Sequence, residues 1–144
     1  MTAKRWSAWL AGLWAGLLWG LGLIGAPAAF ATMDPAAAGR VAGRMFGQEA
    51  YLGLILAIVL FVLLRKMARE AASTGAGSVF SGNMLLVLGA LFTIVLGYFA
   101  LQPMMAAAKA GQGGLSFGAL HGISAGLYML RAVLVSILAW RLAA

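Results

Sequence analysis

Charged residues are spaced along the chain so that they bracket long apolar runs. No charge lies between Arg5 and Asp34, only Glu49 between Arg44 and Arg65, none between Glu70 and Lys109, and only Arg131 between Lys109 and Arg141. Each run supplies the roughly 20 apolar residues that a helix needs to cross a bilayer core. None shows the alternation, in segments of about ten residues, that marks membrane strands. The pattern predicts an all-α protein, a four-transmembrane-helix bundle forming a single integral membrane domain over 1–144. Its helices fall at about 6–30, 46–64, 84–102 and 117–140, with a short amphipathic helix between the first two. Breakers agree: "STGAGSVFSGN" (73–83) reads as a flexible loop, and Pro103 followed by "GQGG" (111–114) marks a turn.

The stretch "LGLIGAPAAFATMDP" (21–35) can be read in two ways. Lys4 and Arg5 with Ala29-Phe30-Ala31 have the ingredients of a secretion signal and its cleavage box. The apolar core from Trp6 to Ile24, however, exceeds the 7 to 15 residues of a typical signal. It also carries small residues at every fourth position, Ala8, Gly12, Gly16 and Gly20, a spacing that lets another helix approach closely. The first helix is therefore expected to be retained. Asp34-Pro35 then starts a new helix, an N-cap carboxylate followed by the residue favoured at the first helical position. In "AAAGRVAGRMF" the two arginines, Arg40 and Arg44, share one face, as in a helix lying at a membrane surface.

Composition sharpens this picture. Hydrophobic residues make up 64% of the chain and charged ones 9%, against about 25% charged in a soluble domain. The net charge of +7 does not point to nucleic acid, because the basic residues sit at the ends of apolar runs without interleaved stacking aromatics. The chain has no cysteine, which excludes disulfides, thiolate zinc sites and thiol redox chemistry. With the N-terminus inside, Lys4, Arg5, Arg65, Lys66, Arg69 and Arg141 lie at inner ends and Arg40, Arg44 and Lys109 at outer ones. That bias predicts both termini in the cytoplasm of a multi-pass bacterial inner-membrane protein, with the lipid bilayer as its first partner.

Three ionisable residues do not fit in the loops. Glu49 is expected at or just below the outer interface, since without it the second span would shrink to 15 residues, about 22 Å. Arg131 lies about 15 Å deeper than Arg141 and must find a partner or water. His121 stands near the outer end of the fourth helix. At 100° per residue His121, Ser124, Tyr128 and Arg131 form a polar stripe on that helix, while Gly118, Gly122 and Gly126 form a second ladder on another side. Glu49, His121, Ser124, Tyr128 and Arg131 are the candidates for a polar cavity or ligand site; Gly12, Gly16, Gly20, Gly118, Gly122 and Gly126 are those for helix packing, with helices one and four closing along their ladders. The stripe reads equally as interhelical hydrogen bonding, worth about 0.6 kcal/mol per pair. Arg131 is expected either to bond to backbone carbonyls, Tyr128 and water or to snorkel inward, and Glu49 to pair with Arg44, Lys109 or His121. Met33, Met45, Met104 and Met105 with His121 form a soft-ligand set for a copper-like ion, but core filling explains methionines in so apolar a chain, and the metal question stays open. Bis-His haem ligation is impossible with one histidine, and no cofactor is expected.

"AGRVAGRMF" (38–46), preceded by Pro27 and Phe30, together with "LHGISAGLY" (120–128), resembles the bacterial membrane family of unknown function related to the eukaryotic transmembrane protein 205. The matching positions are Pro27, Phe30, Ala38, Gly39, Gly43, Phe46, His121 and Ser124. Departures are Gly-Gln-Glu after Phe46, where a Pro and an aromatic are common, and Tyr128, where an Asn is frequent. The resemblance implies four helices and no assigned activity, with the platinum-drug tolerance linked to the eukaryotic relative as a hint of transport or secretion.

Two functional readings follow. The first is a non-enzymatic membrane component that associates, through its glycine faces, with a second copy or another membrane protein. The alternative is a small transporter or metal-handling efflux protein with an outward-facing polar cavity lined by Glu49, His121, Ser124 and Tyr128, with Tyr98 or Met104. An aqueous cavity joining His121 to Arg131 favours the alternative, and close packing there favours the first.

Overall fold

The computed structural model describes residues 2–144 and contains four helices long and apolar enough to cross a membrane: α1 (Ala3–Thr32), α2 (Pro35–Ser73), α3 (Gly82–Lys109) and α4 (Phe117–Ala143). Each starts on a side-chain cap. The oxygens of Thr2, Asp34, Ser81 and Ser116 accept from the amides of Arg5, Ala37, Met84 and Ala119, three residues on, satisfying donors that the first helical turn leaves free. α2 and α3 end on glycines with positive φ, Gly75 at 73° and Gly111 at 75°. At these ends the amides of Ala76 and Gln112 reach back to the carbonyls of Ala71 and Ala107, the wrap that favours glycine just past a helix.

Two expected boundaries shift. The amphipathic segment after Asp34 is no separate helix: α2 runs unbroken for 39 residues, about 58 Å. No proline follows Pro35 in it, and Ala38, Ala42, Gly47 and Ala50 are buried along its first half, so packing holds the glycine-rich stretch helical. Pro103 does not end α3. A proline inside a helix removes one hydrogen bond and clashes with the preceding turn, and here the turn before it, Val95–Ala100, is wound as a π-helix. The Leu101 amide reaches the Leu96 carbonyl, five residues back. α1 carries the same device, a π turn at Leu21–Gly25 ahead of Pro27. The wider turn absorbs the misfit, and α3 continues to Lys109.

The helices pack in a ring, α1 on α2, α2 on α3, α3 on α4 and α4 on α1. The half holding both termini is filled by one apolar cluster. Ala11, Trp14 and Leu18 of α1 meet Ala57, Leu60 and Leu64 of α2, Val87, Ala90 and Ile94 of α3, and Ala132, Val135 and Leu138 of α4. The other, distal half is different. There α1 packs on α2 and α3 on α4, so the bundle parts into two hairpins, with only Leu101, Met105 and Leu120 as a small buried cluster between α3 and α4. Large apolar side chains cover the outside, among them Trp140, Ile24, Phe92 and Val62, as a lipid-facing surface requires.

The expected packing of the glycine ladders is not seen. α1 and α4 do pack extensively, but a Cβ added to Gly12, Gly16, Gly20, Gly118, Gly122 or Gly126 would meet nothing within 4 Å. The buried stripe of α1 runs instead through Ser7, Ala11, Trp14, Ala15 and Leu18, which turns the ladder outward. Close approach falls to other glycines. A Cβ at Gly53 would stand 2.9 Å from Glu49 Oε1 and 3.2 Å from Trp14, and one at Gly47 would stand 2.8 Å from the Tyr98 hydroxyl.

Candidate functional site

Where the packed half gives way to the parted half, four polar side chains, one from each helix, meet at the bundle axis. Glu49 of α2 and Arg131 of α4 form an ion pair, Oε2 to Nη1 at 2.6 Å, with Glu49 2% and Arg131 3% exposed. Trp14 Nε1 of α1 donates to Glu49 Oε1 at 3.2 Å. From α3, Thr93 accepts twice: Arg131 Nε donates to its hydroxyl at 3.1 Å and Nη2 to its carbonyl at 3.2 Å. The Thr93 hydroxyl in turn donates to the Ala90 carbonyl at 2.6 Å. Burying two charges costs several kcal/mol per ion, recovered only with good geometry and satisfied partners. Here both carboxylate oxygens and three of the five guanidinium donors are engaged.

This overturns the expected partners of Glu49, whereas Arg131 has a backbone carbonyl and the Tyr128 ring, 5.5 Å away, as expected and adds an ion pair that was not. Glu49 is not at the outer boundary, and it pairs with none of Arg44, Lys109 and His121. The reason is the length of α2. Counted from Pro35 rather than from about 46, Glu49 lies 14 residues into its helix, and Arg131 lies 14 residues into α4 counted from Phe117. Both are about 21 Å from the distal ends, at one depth. Trp14, Thr93 and Gly53 were not singled out from sequence. The equal distances of Glu49 and Arg131 from the caps Asp34 and Ser116 were the signal available.

Distal to this centre, all four helices enclose a cavity of about 830 Å³, within the roughly 300–1,000 Å³ range of ligand pockets. All five candidates, Glu49, His121, Ser124, Tyr128 and Arg131, border it. Their roles differ. The Tyr128 hydroxyl donates to the Leu18 carbonyl of α1 at 2.7 Å, and its ring meets Phe46 edge-on at 5.0 Å. Ser124 Oγ donates to the Gly97 carbonyl at 3.1 Å. That carbonyl lies in the π turn of α3, where the Leu101 amide donates to Leu96 and Tyr98 and skips Gly97. Ser124, Tyr128 and Arg131 of the polar stripe are therefore spent on bonds between helices, and they reach the cavity already partnered.

Apart from Gln102 of α3, the walls above are apolar or bare: Leu23 and Phe30 of α1, Phe46 of α2, Met105 of α3, Met129 of α4, and Gly39 and Gly43 of α2, where an added Cβ would meet nothing within 4 Å. The rim carries the remaining polar chemistry. Lys109 Nζ sits 4.8 Å over the Phe117 ring, and the His121 ring stacks on the same phenyl at 5.8 Å and 19°. Tyr98 also lines the cavity; Met104 does not. Of the methionines grouped with His121 as soft ligands, only Met105 reaches the cavity, while Met45 packs beside Gly25 and Met33 and Met104 are exposed. The four methionines and His121 do not come together as one ligand set.

Searches among curated proteins and among solved structures found no match. Residues 9–113 match a family described as a domain of unknown function, DUF4149. The matched stretch holds α1 from Trp9 onward, α2 and α3, and so includes Trp14, Glu49 and Thr93 of the polar centre. With most of its length covered by that match and its four apolar helices compatible with a multi-pass membrane protein, the chain belongs to the DUF4149 family.

Proposed function

We propose that this protein is a non-enzymatic, membrane-embedded binding protein. It takes a small hydrophobic or amphipathic molecule into the distal cavity, as a carrier or transporter does. One observation carries this reading: a cavity of about 830 Å³ bordered by all four helices, joining His121 to Arg131, above a floor whose polar groups are already bonded. Apolar walls with a few placed polar groups are what small-molecule sites have in common. The test uses the purified chain in nanodiscs with a diazirine-bearing hexadecanol as probe. Crosslinks on Leu23, Phe46, Met105 or Met129 that vanish in Gly43→Trp support the reading; crosslinks confined to lipid-facing residues such as Phe92 and Val62 sink it.

A second reading, self-association, is favoured by the outward-facing Gly12, Gly16 and Gly20, where nothing meets an added Cβ. Small residues at this spacing let a second helix come close. For location we propose the bacterial inner membrane with both termini cytoplasmic, supported by the six-to-three distribution of basic residues. A relation to transmembrane protein 205 is likewise proposed, on Pro27, Phe30, Gly39, Gly43, His121 and Ser124. Five of these six positions line the cavity, and Pro27 stands next to Ala26, which does.

A further inference from the structure

We propose that the occupant of the distal cavity is a single-chain amphipathic anion, its acid group held by Lys109 at the rim and its hydrocarbon part lying between the hairpins above Tyr128. The inference rests on the binding reading above and adds the chemical class of the ligand. It begins from an imbalance of charge. Among the described residues, Glu49 is the only acid lining the cavity and it is paired with Arg131. Lys109, which also lines it, makes no salt bridge among those residues. Asp34, the other acid at this end, is engaged as the cap of α2 and does not line the cavity. The rim therefore holds one fixed positive charge without a counterion, above apolar walls.

Its surroundings favour an anion further. The Phe117 ring holds the ammonium on one side and stacks with His121, placing a second nitrogen donor near the same point. Below the rim Ser124, Tyr128, Glu49 and Arg131 are all bonded, which leaves the Gln102 amide and the Tyr98 hydroxyl as the side-chain polar groups of the lining without a hydrogen bond among the described residues. A polar tail would find only those two groups to bond there, whereas a hydrocarbon would lie along the apolar walls and displace poorly held water. One charge at the mouth and room for one small molecule match one acid group on one chain better than a two-chain phospholipid.

Three diazirine probes of equal chain length, hexadecanoate, hexadecanol and hexadecylammonium, are compared in phosphatidylcholine nanodiscs with wild type, Lys109→Gln and Gly43→Trp. Hexadecanoate should label the cavity walls about fivefold more efficiently than hexadecanol, the worth of one modest ion pair, and hexadecylammonium least. Lys109→Gln should abolish the difference without changing the melting temperature, and Gly43→Trp should remove labelling by all three. Equal labelling by hexadecanoate and hexadecanol in wild type, a preference that survives Lys109→Gln, or stronger labelling by a diazirine phosphatidylglycerol would overturn the proposal while leaving a binding cavity. Absence of cavity labelling by every probe would overturn the binding reading itself.

Discussion

Glu49 and Arg131 stand 82 residues apart in the chain and meet across the diagonal of the helix ring, with their charged atoms 2.6 Å apart. Their pairing ties α2 to α4, and Trp14 and Thr93 bring in the other two helices. Removing one partner leaves the other charge buried, which typically costs about 3–5 kcal/mol. Arg131→Leu and Glu49→Leu should each sharply lower the melting temperature in detergent, and the double variant should regain much of the loss. A double variant as unstable as the sum of the singles would mean that the two residues act independently.

Arg131→Lys should not rescue. The guanidinium uses Nε, Nη1 and Nη2 on three separate acceptors, and an ammonium is a point charge that cannot span them. Melting of Arg131→Lys close to wild type would show that the Glu49 contact alone matters.

Glycine substitutions should sort by contact, not by spacing. Gly53→Ala crowds Glu49, Trp14 and Ile94, and overpacking of this kind costs about 1–3 kcal/mol. Gly16→Leu and Gly122→Leu project into open space and should leave monomer stability unchanged. The chain lacks cysteine, so Gly16→Cys also serves as a clean disulfide probe of self-association; absence of a crosslinked dimer in membranes would dismiss the α1 face as a homodimer contact.

Ser124→Ala and Tyr128→Phe each remove one interhelical bond to a carbonyl. Each should lower stability by about 0.6 kcal/mol, small beside the loss at Arg131. A loss at Tyr128→Phe as large as at Arg131→Leu would place Tyr128 in the polar centre.

The first helix should be present in the mature protein, because it supplies Trp14 to Glu49 and the Leu18 carbonyl to Tyr128. Intact-mass measurement of membrane-extracted protein checks this; a species starting at Thr32 would contradict it. Labelling of a tag at Ala144 from the periplasmic side would likewise contradict the proposed orientation.

Four helices long and apolar enough to span a membrane, and the Asp34 cap, were legible in the sequence, because charge gaps and such a cap act through the cost of placing charge in hydrocarbon and through local backbone chemistry. So were the five polar residues that border the cavity, since any ionisable or hydrogen-bonding group inside an apolar run must be accommodated. Which groups accommodate each other was decided by the tertiary structure. Glu49 and Arg131 meet only because α2 continues inward unbroken from Pro35 and α4 from Phe117, bringing both to one depth, and because Gly53 leaves space for the carboxylate. The ladders show the converse: fourfold spacing places Gly12, Gly16 and Gly20 on one face, but spacing cannot say which face turns inward. That choice followed from the bulk and bonding of Trp14, whose indole must lie at the bundle axis to reach Glu49, and from the parting of the distal hairpins, which left the glycines of α2 facing a cavity instead of a helix.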